Sequence, residues 1–272
     1  MWDFERGEHK DTFEIDYTVP SGCAEALRTG RADIGIIPAI SYQSISVLQV
    51  IPEVAITAKG AVRSILLVSK VPLSEIRSVA VDTSSRTSVA LLHILFAKYW
   101  RPDLETRHGS SLPEFVPMTP DLTPMLAVCD AALLIGDPAL TVDRSRYHVV
   151  DLAVEWNRHT GKPFVFAFWA VRRAAIEGHP LRSHLAEIFQ QSRDRGLANL
   201  DTLAREWAPR VGISEEDVKN YLSKNISYSF DQACIDGVRL FFRLAQEFAI
   251  APQACELEFL SPAAGLRRPA AS

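Results

Sequence analysis

Seven consecutive polar residues, Asp82, Thr83, Ser84, Ser85, Arg86, Thr87 and Ser88, follow the apolar run Ser78–Val81. They precede a stretch in which Val89, Leu92, Phe96 and Tyr99 recur at helical spacing. The pattern predicts a strand that turns directly into a helix, with several candidate N-cap residues at the turn. The first amides of a helix have no acceptor inside it, and the helix dipole places roughly half a positive charge at that end. A carboxylate or phosphate is therefore favoured there. Hydroxyls of Ser85, Thr87 and Ser88 would add donors, and the Arg86 guanidinium has the fork geometry to pair with a carboxylate. The same residues would equally serve as simple helix caps, with Arg86 solvated, and their spacing alone leaves both readings open.

Other reactive side chains are sparse. Asp137 follows the apolar run Ala131–Ile135 and Gly136, where a carboxylate either anchors its loop or faces a ligand. The seven histidines are dispersed without an HExxH pattern, and neither His93 nor His159 is placed as a convincing general base. Cys23, Cys129, Cys234 and Cys255 lie far apart with no CxxC pair, which predicts free thiols and no bound metal. Chemistry must then come from hydroxyls, carboxylates and backbone, without a cofactor. Trp156, Trp169 and Arg63 read as structural residues.

The elements that would position these groups alternate between strand and helix. Strands are predicted over residues 14–19, 33–38, 62–69, 78–81, 131–135 and 164–171, the last two apolar throughout, as parallel strands covered on both faces should be. Helices are predicted over residues 21–29, ended by Gly30, and over 181–196, 197–211, 214–223 and 231–248. Residues 14–38 read as a βαβ-like unit, and parallel sheets with covering helices follow. The order implies an α/β fold of two lobes, one formed by residues 1–72 with 168–260 and the other by 73–167, with a ligand cleft between them. Residues 261–272, rich in Ala, Pro and Arg, read as a flexible tail. Ligands gather beyond the carboxyl ends of strands in such sheets, which would bring residues 38–42, 82–88 and 136–137 together.

Composition excludes several classes. The 272 residues are 47% hydrophobic and 23% charged, ordinary for a globular protein, and the net charge of -4 offers no basic field for nucleic acid. No apolar run reaches the roughly 18 residues needed to span a bilayer, and the start, MWDFERGEHK, is not signal-like, so a cytoplasmic protein with no membrane partner is expected.

Six ordered segments add specificity: ADIGIIPAISY (32–42), VIPEVAITAKGAVRSILLVSKVP (50–72), AVDTSSRTS (80–88), LLIGDPAL (133–140), VEWNRHTGKPFVFAFW (154–169) and YLSKNISYSF (221–230). Together they resemble the menaquinone-biosynthesis chorismate dehydratases of the futalosine pathway. The resemblance implies a type II periplasmic-binding-protein-like fold and the removal of water from chorismate to give 3-[(1-carboxyvinyl)oxy]benzoate. It also implies a site drawn from Ala39, Ser41, Tyr42, Ser85, Arg86, Thr87, Ser88, Gly136 and Asp137, with Thr87 and Ser88 on one carboxylate of this small-molecule substrate. Ala39 stands where the family often has Ser, so one hydroxyl contact is absent. The family begins with a strand and a Ser-Tyr-x-Asn-like turn facing the cleft, whereas only residues 2–12 precede the first strand predicted here. The first strand of lobe 1 is thus expected to be missing, leaving an unpaired sheet edge. With no residue placed as the base, the substrate's own carboxylate is expected to take part in proton transfer. A homodimer is compatible with the resemblance.

Rival readings are a dicarboxylate-binding protein of a transport system and a 1,4-dihydroxy-6-naphthoate synthase. The second shares the fold, but its expected histidine has no counterpart in residues 133–140. An effector-binding domain of a regulator is disfavoured because no helix-turn-helix precedes the lobes.

Overall fold

The computed structural model describes residues 1–82, 84–100, 112–252 and 255–261. The chain opens with α1 (Trp2–Arg6) and α2 (Pro20–Thr29). Pro20 fits the first turn of α2, where its missing N–H costs nothing, and Gly30 ends the helix at φ 78°. Strands β1 (Ile34–Pro38) and β2 (Leu48–Ala58) follow, joined by a 3-10 turn over Ala39–Ser44.

A second unit then runs β3 (Ile65–Ser69), β4 (Ser78–Val81), α3 (Arg86–Ile94), β5 (Glu114–Pro117), α4 (Leu122–Val128) and β6 (Ala131–Ile135). It ends with α5 (Asp137–Leu140), β7 (His148–Asp151) and α6 (Leu152–Thr160). Strand β8 (Phe164–Arg172) returns to the first unit, and five helices complete it: α7 (Arg173–Ile176), α8 (Leu185–Ala198), α9 (Leu200–Val211), α10 (Glu215–Asn220) and α11 (Gln232–Glu247).

Two sheets result. One has the order β1-β8-β2, and the other β5-β4-β6-β3-β7. In the larger sheet β4 is parallel to both β5 and β6, while β3 runs antiparallel to β6 and β7. In the smaller sheet β8 pairs antiparallel with both neighbours, which corrects the expectation of parallel sheets throughout. A strand covered on both faces is apolar along its whole length whichever way it runs, so composition did not reveal direction.

Three further differences bear on the site. Residues 14–19 are extended but join no ladder; Phe13 and Ile15 instead pack beside Phe4 and Phe189, while Tyr17 and Val19 are exposed. Strand β3, expected within the 1–72 lobe, belongs to the five-stranded sheet, so the crossing between sheets falls between Ala58 and Ile65. Strands β2, β5 and β7 had no sequence counterpart in the prediction. Thr83 and most of the expected tail, residues 262–272, lie outside the described residues.

An aromatic cluster fixes the position of β8. Trp156 is fully buried, donates its indole N–H to the Pro163 carbonyl at 3.2 Å and meets the edges of Phe164 and Phe241. Each such side chain contributes on the order of 2–3 kcal/mol through burial. Gly237 of α11 lies against the same loop, and a Cβ built there would stand 2.3 Å from the Pro163 oxygen.

Candidate functional site

Local chemistry shapes the turn after β4. The Asp82 carboxylate accepts from the Ser84 amide at 2.8 Å and the Ser84 hydroxyl at 2.7 Å, which closes an Asx turn and points the chain into α3. Ser85 occupies the N-cap in extended backbone, yet its hydroxyl makes no capping bond and lies 3.0 Å from the Ser88 hydroxyl. The Val89 amide donates to the Ser85 carbonyl at 3.3 Å. Among the described residues, no acceptor is found for the amides of Arg86, Thr87 and Ser88. Three orphan donors therefore converge at the positive end of α3.

The first unit reaches this turn directly. The Ile40 amide donates to the Thr87 hydroxyl oxygen at 3.2 Å, so residues 38–42 and 82–88 meet as the sequence predicts. Thr87 and Ser88 are fully buried. Ser41 is buried too, and its hydroxyl has no partner among the described residues. Tyr42 points into the core, stacking on Phe242 and edge-on to Phe168, with its hydroxyl accepting from the Glu258 amide at 2.9 Å. Ala39 is buried, and Arg86 is exposed with no ion pair among the described residues.

The third segment leaves the same sheet edge. Strands β4 and β6 are parallel neighbours with Val81 beside Leu133, so residues 82–88 and 136–137 start about one strand spacing, ~4.8 Å, apart. Gly136 adopts φ 73° and ψ -142°, a conformation reserved for glycine, and its amide donates to the Ser64 carbonyl at 2.7 Å. Asp137 begins α5, exposed, and hydrogen-bonds to no described residue.

Asp137 also borders a cavity of about 480 Å³ lined by Ile36, Ala55, Trp169, Tyr221 and Tyr228 among others. The remaining predicted site residues do not line it. The two tyrosines went unnoticed as site residues: the segment 221–230 carried the resemblance, but no spacing within it marks a phenol as functional. Tyr221 hydrogen-bonds the Ser64 hydroxyl, and burial, with Asp137 nearby, holds its phenol above the ordinary value. Burial raises Tyr228 further, and its hydroxyl has no hydrogen-bond partner among the described residues.

The histidines lie elsewhere. His93 stacks on Phe115 at 3.7 Å between ring centres, and burial lowers its pKa. His159 stacks on Tyr99 and sits 3.6 Å from Glu155; burial and then Arg158 lower its pKa. The Arg63 amide donates to Asp151 at 2.7 Å, bracing the start of α6. Among the described residues, no three His, Cys, Asp or Glu side chains gather as a metal site, and no helix is long and apolar enough to cross a membrane.

Two sheets joined by crossing segments, with the orphan amides where the Ile40 loop of one unit meets α3 of the other, define a class of two-lobed binding folds. Solved relatives of that shape include a protein from Archaeoglobus fulgidus (TM-score 0.66, 18% identity, covering 87% of this chain and 86% of that one). Another is the alkanesulfonate-binding protein of Xanthomonas axonopodis pv. citri bound to MOPS (TM-score 0.60, 15% identity, covering 89% and 84%). The fold is thus that of the periplasmic binding proteins. Residues 1–247 match the family described as menaquinone biosynthesis, and the chain belongs to it. It is similar to the chorismate dehydratase of Thermus thermophilus, at 27% identity covering 84% of this chain and 85% of the relative.

Proposed function

We propose that the chain is a chorismate dehydratase, a carbon–oxygen lyase acting in the cytoplasm. The observation that carries this reading is the set of three orphan amides at the start of α3, closed over by the Ile40 loop, in a chain similar to a chorismate dehydratase. Chorismate is a dianion. One carboxylate accepts from the amides of Arg86, Thr87 and Ser88, and a hydrogen bond to a charged group contributes about 1.5–3 kcal/mol. The ring then extends past Asp137, toward the cavity.

Dehydration removes a ring proton and the neighbouring hydroxyl, leaving an aromatic ring. The enolpyruvyl carboxylate of the substrate takes the proton, and the orphan amides hold the negative charge of the other carboxylate as the electrons shift. A closed cleft keeps bulk water from competing. Esterifying the enolpyruvyl carboxylate should abolish turnover, and a high rate with the ester would refute this proton acceptor.

Incubation of the purified chain with chorismate tests the reading. Time-dependent formation of an aromatic dicarboxylate of chorismate mass less one water is expected. Binding of chorismate without conversion would favour a dicarboxylate-binding protein instead.

A further inference from the structure

Tyr228 is held by backbone rather than by its hydroxyl. The Ala55 amide donates to the Tyr228 carbonyl at 3.2 Å, and Thr57 and Ser227 exchange backbone hydrogen bonds of 2.8 and 2.9 Å on β2. The ring is therefore fixed on the cavity wall beside Ala55, while the phenol has no partner to satisfy it. Its neighbour Tyr221 is different: that hydroxyl is engaged by Ser64, whose carbonyl also receives the Gly136 amide. One phenol thus ties the crossing segment to the loop carrying Asp137, and the other is left to a ligand.

Burial keeps the Tyr228 phenol protonated through the neutral and mildly basic range, so it offers a proton rather than accepting one. Asp137 borders the same cavity from the start of α5, where it is exposed. His93 and His159 do not line the chamber. Among the described residues that line it, the hydroxyls of Ser192 and Tyr228 have no hydrogen-bond partner; a phenol is a far stronger acid than an aliphatic alcohol, and of the two it is Tyr228 that neighbours Tyr221 and the Asp137 loop.

We propose that Tyr228 is the acid that protonates the departing ring hydroxyl, a catalytic role resting on the dehydratase reading above. The ring C–H bond breaks, its proton going to the substrate's enolpyruvyl carboxylate and its electron pair forming the new ring double bond. The C–O bond breaks with its pair on oxygen, which takes the Tyr228 proton and leaves as water. The phenolate is reprotonated by the product's carboxylic acid, so the enzyme returns to its starting state with one water released.

The test compares Tyr228→Phe with the unmodified chain on two substrates. These are chorismate and an analogue whose ring hydroxyl is replaced by an acetate ester, which departs without needing a proton. The variant is expected to lower kcat on chorismate about 10²- to 10³-fold and to process the acetate within about threefold of the unmodified chain. Unchanged kcat on chorismate, or equal losses on both substrates, overturns the assignment. On the unmodified chain, the solvent deuterium isotope effect on kcat should be present with chorismate and vanish with the acetate; equal effects would overturn it independently of how the variant folds. Absence of chorismate turnover by the unmodified chain would instead sink the dehydratase reading and this role with it.

Discussion

Thr87 places one oxygen between two parts of the molecule, because its hydroxyl accepts the Ile40 amide while its own amide is an orphan at the start of α3. Thr87→Val keeps the shape and removes the acceptor, stranding a part-buried N–H at a cost of about 1 kcal/mol. A melting temperature lower by several degrees, restored by Thr87→Ser, is the expected outcome; an unchanged melt for Thr87→Val would contradict the bond's role. A second residue answers to pH. Burial lowers the His93 pKa, so as pH falls the unfolded chain takes up its proton first. The stability tied to the neutral ring is complete above about pH 6.5 and is lost as pH falls from there through the lower folded value. Melting curves at pH 7.5 and 5 should converge for His93→Gln relative to the unmodified chain, and an identical pH slope would count against it. At this scale the Ser85–Ser88 turn was legible in sequence because every residue that shapes it is local. Tyr221 and Tyr228 were not, since their position depends on a bridge between Thr57 and Ser227, 170 residues apart.

Element by element, the chain announces its helices better than its strands. Helix α11 begins at Asp231, whose carboxylate accepts from the Cys234 amide at 3.0 Å, and α10 at Ser214, which accepts from Asp217; both caps stand in the sequence. Strand β2 escaped notice because Pro52 and Glu53 interrupt its apolar pattern, and its register on β8 shifts between Val50 and Ala55 at that point. Residues 14–19 show the opposite failure: they alternate like a strand, but Ile15, with the preceding Phe13, joins a side-chain cluster instead of a sheet, and Tyr17 and Val19 stay exposed. A close backbone approach, Gly237 of α11 on Pro163 just before β8, gives a direct test of packing. Gly237→Ala forces a methyl group onto a backbone carbonyl and should cost about 1–3 kcal/mol, read as a lower melting temperature. An unaltered melt would mean that α11 does not sit so close to the strand it covers.

For the whole molecule, the topology explains why the site forms where it does. The five-stranded sheet places the ends of β4 and β6 side by side, and the three-stranded sheet supplies the Ile40 loop that closes over α3. The two-lobed architecture was legible from the alternation of elements, whereas strand direction and the exact crossing depended on pairings that composition does not encode. Residues from the three-stranded sheet, from α5 of the second unit and from the C-terminal helices enclose the cavity, so a ligand that fits it links all three. The central claim is that a carboxylate rests on the amides of Arg86, Thr87 and Ser88. Amide chemical shifts of isotopically labelled protein, titrated with chorismate, measure this directly. Large downfield shifts at those three amides, saturating together, are the predicted result; shifts elsewhere with those amides unmoved would contradict the account.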